Sequence, residues 1–172
     1  MRVVVIYDDT GRKSEVISDI IGEKGFADVV VKKRCLEEYY RDEIKKIYPD
    51  LIWKKIHSVY EYATLEKELE MWQEADVRVM HCFANYLFSD AGKAALAMKK
   101  LAYIDEPYAV LADKRAVVGM FPHIAAYISF CKNIFSGKKA GDAVRAMKES
   151  CQIEGMVDIG IVENFIQCIT GD

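Results

Sequence analysis

The sequence predicts an α/β domain: a three-layer, Rossmann-like open sheet, mostly parallel, with helices on both faces. Three observations carry this reading. Val3-Val4-Val5-Ile6-Tyr7 is an unbroken apolar, largely β-branched run, the pattern of a strand buried on both faces. Val77-Arg78-Val79-Met80-His81-Cys82-Phe83 is a second strong strand deeper in the chain. Between them, apolar residues recur at spacings of three and four, as on one face of a helix.

The elements follow in order. The first strand runs over 1–8 and ends in the polar loop Asp8-Asp9-Thr10-Gly11-Arg12-Lys13-Ser14. Val16, Ile17, Ile20 and Ile21 mark one face of a helix that Thr10 or Ser14 can cap and Gly22 or Gly25 can end. Ala27-Asp28-Val29-Val30-Val31 reads as a second strand, making a βαβ unit. Leu36, Tyr40, Ile44, Ile47 and Tyr48 give a long helix stopped by Pro49. Asp50 then caps a further helix carrying Trp53, Ile56 and Tyr60, and Leu65, Leu69 and Trp72 continue the helical stretch to Ala75. After the strand at 77–83, Asp90 caps a helix through Ala94, Met98 and Leu101. The segments 108–112 and 115–119 read as a hairpin turning at Asp113-Lys114. Pro122 opens a helix ending near Gly137, a short helix surrounds Val144 and Met147, and an apolar strand covers 156–162.

Length and composition agree with one folded domain spanning 1–172. The chain is 52% hydrophobic and 30% charged, the balance of a globular protein. Its formal charge is −3, so no basic field recommends nucleic acid as a partner. The lysine pairs, Lys138-Lys139 among them, read as solvated faces. Five cysteines, an odd number with no C-x-x-C spacing, argue against a disulfide framework or a zinc site and for a reducing compartment. No apolar stretch approaches the roughly 18 residues of a membrane span, and no leader pattern opens the chain. The expected location is the cytoplasm. The apolar run Asn164-Phe165-Ile166-Gln167-Cys168-Ile169 near the end suggests either a last element that docks fully or the N-terminal part of a longer protein.

The ligand site expected from position is the loop after the first strand. Ligands of open α/β sheets bind beyond the carboxyl ends of strands, where helix N-termini offer free N–H groups. Arg12, Lys13 and Ser14 add donors beside Thr10 and Gly11, and Asp8 and Asp9 suit a cation or a ribose hydroxyl. His81 and Asn85, at the end of the later strand, should share that sheet edge. His81 and Cys82 are strand neighbours that face opposite ways, so they are no catalytic pair, and His57 and His123 have no ligand spacing. No metal ligands or catalytic residues are assigned. The loop is neither G-x-G-x-x-G nor G-x-x-x-x-G-K-[ST]. Asp158 and Glu163, flanking the last strand, could oppose it in space.

The order of these elements resembles the glycosyltransferase-A type, sugar-nucleotide pyrophosphorylase-like domain of bacterial capsular polysaccharide biosynthesis proteins. The similarity rests on the strand 3–7 and its loop, 77–83 leading into Ala84-Asn85-Tyr86-Leu87-Phe88, the strand pair 108–119, and Val157-Asp158-Ile159-Gly160-Ile161. It implies a small-molecule partner, a nucleotide or nucleotide-sugar, with Mg²⁺ as the accompanying cofactor, and a chain that is nucleotidyltransferase-like or glycosyltransferase-like if active. A homo-oligomer or a fused kinase-like domain is a further expectation. The family's glycine-rich loop would fall on 8–14, which keeps Gly11, Arg12 and Lys13, and its acidic metal motif on 81–85, where no acid stands. A degenerate binding domain is therefore the better reading. Asp9-Thr10-Gly11-Arg12-Lys13-Ser14 is also similar to the phosphate loop of flavodoxins, which implies FMN and electron transfer as an alternative. A third alternative is a non-catalytic interaction domain docking through Tyr39, Tyr40, Tyr48, Tyr60 and Tyr62.

Overall fold

A computed structural model of the chain describes residues 2–72, 76–101 and 104–171. Met1 and Ala75, the expected limits of the first strand and of the long helical stretch, lie outside the described residues. Strand β1 (Arg2–Asp8) is buried from Val3 onward, as its β-branched run predicts. Helix α1 (Glu15–Ile21) starts where the Ser14 hydroxyl accepts the Ile17 N–H and stops at Gly22, whose φ of +69° favours glycine. Of its apolar residues only Ile17 is buried; Val16 and Ile20 are exposed.

The expected strand at 27–31 is not part of the main sheet. Its first half is a 3-10 turn, Phe26–Asp28, because the Asp9 carboxylate accepts the N–H groups of Phe26 and Ala27 and curls the chain there. What remains is half of a two-residue hairpin, β2 (Val30–Val31) with β3 (Arg34–Cys35). Helix α2 (Leu36–Ile47) then buries Leu36, Tyr40, Ile44 and Ile47, the predicted face. The helix expected over Trp53 and Ile56 is instead strand β4 (Leu51–Ile56), paired in parallel with β1 from Val3↔Leu51 to Asp8↔Ile56. It is a half-buried edge strand, so its sequence shows neither clean alternation nor a continuous apolar run.

Helix α3 (Glu61–Glu70) and strand β5 (Val77–Phe83) follow as expected, and then β6 (Tyr86–Phe88). Helix α4 (Ala91–Leu101) begins where the Asp90 carboxylate accepts the Lys93 N–H. β7 (Tyr108–Ala112) and β8 (Arg115–Phe121) form the predicted hairpin. Asp113 and Lys114 both have positive φ, 50° and 64°, as a type I′ turn requires. α5 (Ile124–Phe135) and α6 (Ala140–Arg145) lead to β9 (Glu149–Gln152), a polar edge strand absent from the sequence reading. The strand expected over 156–162 shortens to β10 (Met156–Asp158), which pairs with β6 outside the main sheet, and α7 (Val162–Thr170) takes over from Val162.

The main sheet has the order β4-β1-β5-β8-β7-β9. Only β8 runs against its neighbours; the β1–β4, β1–β5 and β7–β9 pairs are parallel. This gives the expected three-layer α/β arrangement. The reversed β8 also departs from the 2-1-3-4-5 order of flavodoxin-like sheets. Side chains of β1 and β5 sort by parity. Tyr7 and Cys82 face α2, where Tyr7 packs on Tyr40 and Trp53, while Asp8 and His81 face α3 and α5. Of the five tyrosines considered as a docking face, Tyr40, Tyr48 and Tyr62 are buried and Tyr39 bonds the Val31 carbonyl. Tyr60 alone of the five is well exposed, at 80%, so no tyrosine face forms. All five thiols are free.

Candidate functional site

Parallel pairing of β1 with β5 sets Asp8 against Phe83, so the loop after β1 and the segment after β5 leave the sheet at one edge. Because β8 is antiparallel, its first residue, Arg115, arrives at that same edge. The β6–β10 pair adds Asp158, directly across from Tyr86. These segments, with the α5–α6 connection, wall a cleft of about 720 Å³.

The floor of the cleft is a buried polar network. Asp8 is 3% exposed and His81 0%. Asp8 Oδ2 lies 2.9 Å from His81 Nε2 and accepts the Tyr62 hydroxyl at 2.8 Å. Asp8 Oδ1 accepts the Thr10 N–H at 2.8 Å and the Thr10 hydroxyl at 2.6 Å. The other ring nitrogen of His81 meets the Tyr127 hydroxyl at 2.8 Å. A ring protonated on Nε2 donates to Asp8 and accepts from Tyr127, satisfying every member. Burial by itself would raise the Asp8 pKa. The hydrogen bond and favourable electrostatics of the His81 ring, with the two Thr10 bonds, outweigh it and hold the carboxyl below its ordinary value. Asp8 thereby pins Thr10 and the start of the loop to the sheet.

The nine residues expected from sequence divide into two groups. Asp8, Thr10, Gly11, Arg12 and Asn85 line the cleft. Asp9 turns away to accept the Phe26 and Ala27 N–H groups, and burial raises its pKa. Lys13 donates to the carbonyls of Gly22 and Lys24, Ser14 caps α1, and His81 sits beneath Asp8. A Cβ at Gly25 would run into the Asp9 carboxylate, so glycine there permits the close approach. A Cβ at Gly11 would meet nothing, so the loop is open on that side. His57, expected in a helix, directly follows β4 at an exposed position outside any helix.

Much of the basic charge was missed. Arg115, Lys138, Lys139 and Arg145 line the cleft with Arg12. Lys138-Lys139, set aside as a solvated pair, lies between Gly137 and Gly141; that flanking by glycine was the available signal. Among the described residues lining the cleft, these five cations face three acids, Asp8, Asp142 and Asp158, in a chain whose formal charge is −3. The side chains of Arg12, Lys138, Lys139 and Arg145 have no hydrogen-bond or ion-pair partner among the described residues. Asp158 does enter the site as foreseen: its Oδ1 accepts Asn85 Nδ2 at 3.0 Å and the Gly160 N–H at 2.8 Å, and its Oδ2 accepts Arg115 Nη1 at 2.9 Å. Glu163 is not among the cleft residues.

No family model matches the chain, and no curated protein matches it. Solved structures do share its fold. It is similar to a Bacillus anthracis protein described as a glucose-1-phosphate thymidylyltransferase (TM-score 0.61, 10% identity, 99% of this chain and 94% of that one). It is likewise similar to a 4-diphosphocytidyl-2C-methyl-D-erythritol synthase from Anaerococcus prevotii (0.59, 9%, 98% and 95%). A third is a nucleoside-diphosphate-sugar pyrophosphorylase from Vibrio cholerae (0.56, 6%, 99% and 100%). The fold is thus α/β and nucleotidyltransferase-like.

The acidic metal motif implied by the resemblance does not fit this cleft. A divalent cation takes free carboxylate oxygens. Here both oxygens of Asp8 and both of Asp158 are engaged by protein donors, and Asn85 offers an amide in place of an acid. Among the described residues, no three His, Cys, Asp or Glu side chains converge on one point.

Proposed function

We propose that this protein binds a nucleotide or nucleotide-sugar in the cleft beyond β1 and β5. The single observation that carries the reading is the surplus of cations gathered there in an otherwise acidic chain, four of the five without a side-chain partner among the described residues. Phosphates are the anions such a surface suits, because guanidinium and ammonium groups meet them with charge-assisted hydrogen bonds. The open side of the loop at Gly11 leaves room for close approach, and Phe26, Phe83 and Ile134 supply apolar wall for a base or sugar. The fold shared with nucleotidyltransferases supports the same ligand class.

The role that best accommodates these features is a cytoplasmic one in bacterial surface polysaccharide biosynthesis, capsule included, with binding retained and transfer chemistry lost. A thermal-shift screen of nucleotides and UDP-, dTDP-, GDP- and CDP-linked sugars tests it. At a ligand concentration of about 100 Kd the expected stabilisation is about 2.7 kcal/mol, or roughly 5–10 °C for a domain of this size. Arg12→Ala or Lys138→Ala should reduce the shift. No shift with any member of the panel refutes the reading.

A further inference from the structure

We infer that the cleft recognises phosphate groups directly, without a divalent cation, and that Arg115 anchored on Asp158 is the residue that stands in for the metal. The inference rests on the nucleotide reading above and goes beyond it. A carboxylate that holds a metal must present oxygens to it, and Asp158 has three of its four acceptor positions already taken, with a cation on the oxygen that faces the cleft. Its Oδ1 carries the Asn85 amide and the Gly160 N–H, and its Oδ2 carries the Arg115 guanidinium. A Cβ at Gly160 would press on that Oδ1, so glycine is what lets the backbone N–H reach it.

The two ends of this ion pair differ. The Asp158 side chain is 13% exposed and fixed by three donors, whereas Arg115 is 59% exposed and lines the cleft. One guanidinium N–H is spent on the anchor, and the remaining donors are available to a phosphate oxygen. The arrangement gives Arg115 a defined position and outward-facing N–H donors, which is the positioning service a carboxylate-bound cation would perform. Asp8 cannot recruit a metal in its stead, because its four hydrogen bonds occupy both oxygens and it is buried.

Two measurements on the full chain test this. Inorganic pyrophosphate is titrated calorimetrically in EDTA and in excess Mg²⁺. Binding is expected in EDTA, no tighter in Mg²⁺, and weakened about tenfold in Arg115→Ala; an exposed ion pair adds little stability, so that variant is expected to fold. Manganese electron paramagnetic resonance is then used to count bound Mn²⁺. The wild type is expected to hold none at the cleft, while Asn85→Asp combined with Arg115→Ala, which frees two carboxylates, should acquire a site. Pyrophosphate or nucleotide binding that requires Mg²⁺, wild-type Mn²⁺ binding lost in Asp158→Asn, or an unaltered Arg115→Ala overturns the inference while leaving the nucleotide reading intact. Absence of binding by pyrophosphate and every nucleotide, with or without Mg²⁺, overturns both.

Discussion

Replacing His81 with alanine removes the ring that donates to Asp8, and the cost follows from what is left behind. Asp8 stays buried, keeping Thr10 and Tyr62 but losing its His81 bond of 2.9 Å. Losing a charge-assisted bond to a buried carboxylate and emptying the space of a buried ring together cost about 3–5 kcal/mol, because the survivor cannot regain water. The Tyr127 hydroxyl also loses its 2.8 Å partner, and the ring vacates space against Phe83 and Phe130. These losses overlap, so about 3–5 kcal/mol is kept as the total. That is a large share of the roughly 5–15 kcal/mol that holds a domain folded. Urea unfolding should show the midpoint falling with the slope unchanged. Asp8→Asn should cost less, since an amide still accepts from Thr10 and can donate towards a neutral His81. The double variant should therefore cost at least about 1.5 kcal/mol less than the sum of the two singles. A His81→Ala cost below about 1 kcal/mol, or additivity within about 0.5 kcal/mol, would refute the account of the network.

Three other outcomes follow from the same loop and the segment it packs against. Asp8 has its pKa lowered from an ordinary value of 3.8, so its contribution is complete above that value and disappears as pH falls through the lower folded value. Urea midpoints between pH 7 and the acid limb should accordingly drop, and Asp8→Asn should flatten that drop; an unchanged slope in the variant would contradict the sign. Asp9→Ala should cost about 1–2 kcal/mol by stripping the Phe26 and Ala27 N–H groups of their acceptor. Gly25→Ala, which forces a Cβ against Asp9, should cost about 1–3 kcal/mol, and calorimetry should show that penalty shrink in the Asp9→Ala background.

The strands at 3–7 and 77–83 were legible because both are central and buried, and burial writes itself as continuous apolar sequence. The hairpin over 108–119, which the structure extends to Phe121, was legible from its turn, although Asp113-Lys114 lacks glycine and adopts positive φ all the same. Edge positions hid what the centre revealed. Leu51-Ile52-Trp53-Lys54-Lys55-Ile56 reads equally as a helix face, and only the presence of β1 alongside makes it a strand. Glu149-Ser150-Cys151-Gln152 is largely exposed and polar, as short edge strands tend to be, and left no periodic mark. The reverse error at 27–31 came from reading apolar residues without the Asp9 carboxylate, 17 and 18 residues back, that bends them into a turn.

The candidate site divides in the same way. The chain alone determined its fold class, the position of the loop at 8–14, and the joint arrival of that loop and 81–85 at one sheet edge. These follow from local patterning and from the rule that ligands sit beyond strand C-termini. Only the tertiary structure decided which of those side chains face the cleft and which serve the scaffold: Asp8, Thr10, Gly11, Arg12 and Asn85 line it, while Asp9, Lys13, Ser14 and His81 hold it together. It alone brought in Arg115, Lys138, Lys139 and Arg145, from segments far from the loop along the chain, and it gave Asp158 its partners. The physical reason is that side-chain direction and charge convergence are set by strand register and by the reversed β8, which no local stretch of sequence encodes.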